Sequence, residues 1–95
     1  MAWSVSLKNK VNRQLKKIDK VDKELRDILF TLIKEIELSG PIRGNWANYS
    51  KLSDKRHHCH LKKGQPTYVA VWEEKDKQIK IIEVIYVGTH EKAPY

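Results

Sequence analysis

The residues best suited to chemistry crowd into one run, Lys55-Arg56-His57-His58-Cys59-His60-Leu61-Lys62-Lys63, and a fourth histidine follows in Gly88-Thr89-His90. Read as a strand, the run alternates its side chains. His58, His60 and Lys62 then share a face with Arg56, at steps of roughly 6.5–7 Å, while His57, Cys59 and Leu61 take the other face. Histidine, with an ordinary pKa of about 6.5, serves as acid or base near neutral pH. Lysine and arginine stabilise anionic transition states. RNA carries its own nucleophile: the 2′-OH attacks the adjacent phosphate once a base removes its proton, and an acid protonates the departing 5′-oxygen. His58, His60, His90, Arg56 and Lys62 therefore contain each chemical type that metal-independent RNA cleavage needs.

Two other readings compete. Histidines two apart on one strand face, with a distant third, can bind zinc, but Cys59 is expected on the opposite face and no CxxC or HExxH spacing is present. We therefore expect no metal. The plainer alternative is a solvated strand edge among lysines. Around the histidines, Arg43, Lys51, Lys55, Arg56 and Lys63 are the cations expected to meet phosphates, and Trp46, Tyr49 and Tyr95 are the aromatics that can stack on bases. No Walker loop, GxGxxG, GxSxG or paired-carboxylate signature occurs, which leaves nucleotide hydrolases and glycosidases without support.

The elements that must position these residues are legible from period. Trp3, Val5 and Leu7 alternate with small polar residues, as in a half-buried strand. Val11, Leu15 and Ile18 then step by four and three, one stripe of a helix whose other faces are basic. Residues 19–22 read as a break, and Leu25, Ile28, Leu29, Leu32, Ile33 and Ile36 form the wide apolar face of a second helix, ended by Gly40-Pro41. The rest reads as strands: a short one within 45–52, then 56–62, 67–74 and 78–87, with turns at 63–66 and 75–77. The last is apolar on both faces (Ile79, Ile81, Ile85 and Val87 opposite Ile82, Val84 and Tyr86), as expected of a central strand. The expectation is an α+β protein, one domain over residues 1–95, with an N-terminal helix hairpin packed on a twisted, mainly antiparallel sheet of about four strands. The other sheet face is left free.

Composition sets the outer limits. Ninety-five residues with 40% apolar and 33% charged content suit one small globular domain. A single cysteine cannot form an internal disulfide and favours a reducing compartment. No apolar run approaches the roughly 20 residues of a membrane span, and residues 1–10 lack a signal layout, so a cytoplasmic protein without membrane contact is expected. Nineteen Lys and Arg against twelve Asp and Glu give a net charge of +7, which points to nucleic acid or an acidic protein as partner.

With these residues in place, the chain resembles the RelE/ParE superfamily of toxins from bacterial type II toxin–antitoxin systems, in its RelE and YafQ-like branch. The resemblance is carried by the opening strand with Trp3, the helices ending in Ser39-Gly40, Gly44-Asn45-Trp46-Ala47-Asn48-Tyr49, Cys59-His60-Leu61, Tyr68-Val69-Ala70-Val71-Trp72-Glu73 and Ile85-Tyr86-Val87-Gly88-Thr89-His90. It implies an mRNA endonuclease acting on the ribosome and held inactive by a cognate, acidic antitoxin protein. It also implies functional roles for His60, His90 and Tyr95. The chain departs from that branch twice. Gly64 stands where an acidic residue is expected four positions after the first histidine, and residues 40–45 contain none of the branch's loop histidine. The resemblance therefore leaves the general base open, with His58, Lys62 or Arg43 to fill the gaps. A ParE-like toxin that inhibits DNA gyrase without catalysis, or a basic nucleic-acid-binding module, is the alternative. The histidine cluster weighs against both, because binding alone needs no titrating groups.

Overall fold

A computed structural model describes residues 2–95. The chain runs as β1 (Ser4–Leu7), α1 (Asn9–Ile18), α2 (Glu24–Ser39), β2 (Ser50–Lys51), β3 (Arg56–Lys62), β4 (Tyr68–Asp76) and β5 (Ile81–Thr89), closed by a 3-10 turn at His90–Lys92. The five strands form one mixed sheet in the order β1-β5-β4-β3-β2. β1 lies parallel to β5, with Ser4 opposite Ile81 and Leu7 opposite Val84, and the other pairings are antiparallel. The helix pair and mainly antiparallel sheet expected from the sequence are present, with five strands and one parallel edge.

Each helix forms because its apolar residues fall on one face. Val11, Leu15 and Ile18 are buried along α1, and Leu25, Leu29, Leu32 and Ile36 along α2. Asp22 Oδ1 accepts from the Glu24 backbone N–H at 3.1 Å, satisfying one free donor where α2 begins. α2 ends at Gly40, whose φ of 96° needs glycine, and a Cβ there would stand 3.2 Å from Trp3 Nε1. α1 lies over β5, and α2 reaches β1 and β3. Between helices and sheet they bury Cys59, Leu61, Tyr68, Ala70, Trp72, Ile82, Val84 and Val87. The Trp72 indole N–H, inside this layer, donates to the Pro41 carbonyl at 3.0 Å.

The opposite sheet face is thinner. Val69, Val71 and Tyr86 are buried there beneath Leu52, Ile85 and Ala93. This corrects the expected faces of the last strand. Val71 pairs with Tyr86 and Trp72 with Val84, so Ile85 is an extra residue in the ladder. One inserted residue reverses the alternation, putting Ile85 and Tyr86 together on the open face and sending Val84 and Val87 to the helices. The strand also starts later than expected, at Ile81. Residues 77–80 form the turn, Lys80 has a φ of 56°, and Ile79 is 66% exposed. Residues 45–49, expected to be strand, form turns, and β2 is two residues long.

Candidate active site

β3 presents Arg56, His58 and His60 on the open face, and β5 delivers His90 just beyond its end. His58 and His60 have ring centroids 6.2 Å apart, His60 and His90 5.3 Å apart. The C-terminal Tyr95 folds back onto them, 4.6 Å from the His58 ring and 6.0 Å from that of His90. Residues 30 positions apart in the chain thus meet because β3 and β5 flank β4 in antiparallel register.

A groove of about 640 Å³ opens beside this cluster, lined by His60, Gly64, Gln65, Pro66, Thr67, Thr89, His90 and Glu91. It is anchored by the His90 backbone N–H donating to the Thr67 carbonyl at 2.8 Å. Glu91 was not among the residues singled out by sequence. It brings a carboxylate to the groove that Gly64 also lines, the position where the resemblance had led us to look for an acid. The only signal for it was its place directly after Gly88-Thr89-His90.

Electrostatics separates the imidazoles. His58 is nearly buried, and burial holds its pKa below the ordinary histidine value, with the His90 charge adding to the effect. Ser50 opposes this from the neighbouring strand, its Oγ 3.0 Å and its carbonyl 3.4 Å from His58 Nδ1. A carbonyl only accepts, so a hydrogen on Nδ1 satisfies that contact and leaves the Nε2 lone pair available. His60 is also held low, by burial first and then by the charges of His90, His58 and Lys63. Both rings are thus neutral at pH 7, the form a general base requires.

Other expected site residues lie elsewhere. Lys62 leaves the histidine face because Leu61 is an extra residue between the pairs His60–Val69 and Lys62–Tyr68. Its ammonium instead lies 2.8 Å from Asp22 and 3.2 Å from Glu24, at the joint of the two helices. Trp46 and Tyr49 pack against the helix-side core rather than the open face. The Trp46 indole N–H donates to Glu35 at 3.0 Å, and Asn45 and Arg43 share that carboxylate at 2.8 and 3.3 Å, which keeps Glu35 below the usual carboxylate range. Arg56 stays on the open face, but it pairs with Glu73 at 2.7 Å, where Lys75 joins at the same distance. These two bonds pull the Glu73 pKa down to about 2. Lys51, Lys55 and Lys63 are exposed and make no ion pair among the described residues.

Cys59 is buried under the helices, and burial raises its thiol to about 12, so it offers neither a nucleophile nor a ready ligand. Among the described residues, no three His, Cys, Asp or Glu side chains are arranged to hold a metal ion. No helix among them is long and apolar enough to cross a membrane.

Two helices over one face of a mixed five-stranded sheet, with the other face open, define a RelE-type fold. Solved structures share it. The YoeB dimer from Staphylococcus aureus superposes with a TM-score of 0.71 at 16% identity, covering 95% of this chain and 99% of that one. The archaeal RelE–RelB complex from Pyrococcus horikoshii OT3 gives a TM-score of 0.62 at 12% identity, covering 98% of this chain and 100% of its counterpart. By sequence, no protein-family model and no curated protein matches the chain.

Proposed function

We propose that the protein is a toxin of a toxin–antitoxin pair and acts as a metal-independent endoribonuclease on mRNA, on the ribosome. The observation that carries this reading is the convergence of His58, His60, His90 and Tyr95 beside a groove, with His60 and His90 5.3 Å apart on its wall. His60, neutral at pH 7, takes the 2′-OH proton. His90, exposed at the groove, protonates the departing 5′-oxygen. Lys63, whose charge already acts on His60, and Arg56 supply positive charge to the transition state, and Tyr95 offers a ring for a base. The RelE-like fold supports a cognate antitoxin as partner, since the Pyrococcus neighbour is a complex of RelE with RelB. The +7 charge favours an acidic partner of this kind.

The test is induced expression followed by single-turnover cleavage on programmed ribosomes in EDTA. Cleavage should persist with chelator present. His60→Gln or His90→Gln should each slow it by roughly 10²–10⁴ while the fold survives, the usual contribution of general acid–base catalysis. A folded double variant that stayed fully toxic would refute the assignment. A non-catalytic, ParE-like action on gyrase would then lead.

A further inference from the structure

We propose that Tyr49, His57 and Glu74 form a buried positioning chain for the histidine cluster: they fix the seat of residues 47–51 on β3, and that segment holds His58 and His60 in place. The functional consequence rests on the ribonuclease reading above.

On the helix side of β3, Glu74 Oε2 lies 2.6 Å from His57 Nε2, and the Tyr49 hydroxyl lies 2.7 Å from His57 Nδ1. A carboxylate only accepts, so Nε2 carries the hydrogen and Nδ1 receives the one that Tyr49 donates. The His57 ring is wholly buried and clustered with two others, 5.8 Å from Trp72 at a tilt of 6° and 5.9 Å from Tyr49, whose ring lies 6.1 Å from that of Trp72. Polar groups buried so deeply are costly unless their bonds are made, so this chain tolerates one geometry of the 47–51 segment and penalises others.

The residue that follows in each segment does the matching work on the open side. Ser50 follows Tyr49 and His58 follows His57, and Ser50 Oγ stands 3.0 Å from His58 Nδ1. Two residues further on, the His60 backbone N–H donates to the Ala47 carbonyl at 2.8 Å. Because Tyr49 leads directly into β2, a slip that parted Tyr49 from His57 would also draw Ser50 off His58. None of the three residues lines the groove, so they act through Ser50 and Ala47 and not on RNA.

The experiment compares wild type, Tyr49→Phe, Ser50→Ala and the double variant by single-turnover cleavage and by NMR titration of the His58 imidazole. Tyr49→Phe keeps the stacked ring and removes only the hydroxyl. We expect it to cleave roughly tenfold more slowly with RNA affinity within about twofold, as a small misplacement of catalytic groups does. The His58 midpoint should rise, because burial is the largest influence on it and its relief outweighs the lost Ser50 contact, which had raised it, with His60, His90 and Tyr95 still facing the ring. The double variant should be little slower than the slower single one, because both changes act through one contact. Glu74→Gln, which still accepts from Nε2–H, should keep most of the rate. An unshifted His58 midpoint in Tyr49→Phe, or additive losses in the double variant, would overturn the proposal. Should Tyr49→Phe not fold, Ser50→Ala bears the same test, and an unmoved midpoint there would overturn it. If the wild type cleaves no RNA, the ribonuclease reading fails, while the titration alone still decides the positioning chain.

Discussion

His60 sits in the middle of the cluster, and its low pKa has identified causes: burial first, then the neighbouring charges of His90, His58 and Lys63. If the neutral ring is the base, as proposed, the base limb of kcat/KM should lie below pH 6.5. His90→Gln removes the largest of the charge effects. The His60 midpoint, followed by NMR, should therefore rise toward the ordinary value even as cleavage is lost. A midpoint that stayed put would show that the two rings are not coupled. The same shifts bear on stability. The unfolded chain takes up protons at its histidines near pH 6.5, the folded chain only at lower pH for His58 and His60. Between those values the unfolded state binds more protons, so stability is full above pH 6.5 and declines below it. Glu73 adds a second loss further down, between 4.5 and about 2, as its bonds to Lys75 and Arg56 are protonated away. Urea midpoints measured from pH 8 to 3 should fall in that order, and a midpoint unchanged between pH 7.5 and 5.5 would contradict the histidine part.

At the scale of elements, the register of β3 decides which cations can serve the site. The irregularity at Leu61 turns Lys62 toward Asp22 and Glu24, and Lys63 is left as the cation whose charge reaches His60. Lys62→Ala should therefore change the cleavage rate by less than about twofold and cost little stability, because solvent screens such exposed ion pairs. Lys63→Ala should raise the His60 midpoint and slow cleavage. A loss of activity at Lys62 matching that at His60 would reverse this placement. The two irregularities mark the limit of what the sequence could show. Helices with stripes such as Val11, Leu15, Ile18 and Leu25, Leu29, Leu32, Ile36 are legible because burial of one face imposes their period. The meeting of His58 and His60 is legible for the same reason, since alternation holds from Arg56 to His60. Past a bulge, alternation carries no information, and the faces of Lys62, Tyr86 and Val87 were misplaced accordingly. Trp46 and Tyr49 read as free aromatics because their partners, Glu35 and His57, are 11 and 8 residues away and neither contact follows a strand or helix period. The parallel pairing of β1 with β5 joins the two ends of the chain, and no local pattern encodes it.

For the whole molecule, the net charge of +7 is unevenly committed. Arg43, Arg56, Lys62 and Lys75 are held in ion pairs, whereas Lys8, Lys10, Arg13, Lys16, Lys17, Lys20 and Lys23 are exposed along and beside α1 with no acidic partner among the described residues. Lys17 also lines a cavity of about 370 Å³ together with Gly88, Thr89 and Lys92, and Thr89 belongs to the histidine groove as well. A single strand lying in the groove can therefore continue past Thr89 toward Lys92 and Lys17, where unpaired charge is available for its phosphates. Each phosphate so neutralised releases counterions, which makes log K fall with log salt by about 0.7 per contact on a single strand. Replacing Lys17 and Lys92 by Gln should then reduce the salt slope of RNA affinity by about 1.4, if each meets one phosphate. The cleavage rate at saturating RNA should be unaffected, since neither ammonium touches the histidines. Affinity would be measured by fluorescence anisotropy on a short RNA between about 50 and 200 mM salt, a range over which several phosphate contacts change affinity strongly. An unchanged slope in the double variant would mean that RNA leaves the groove by another path, and that this charge serves solubility or an acidic protein partner instead.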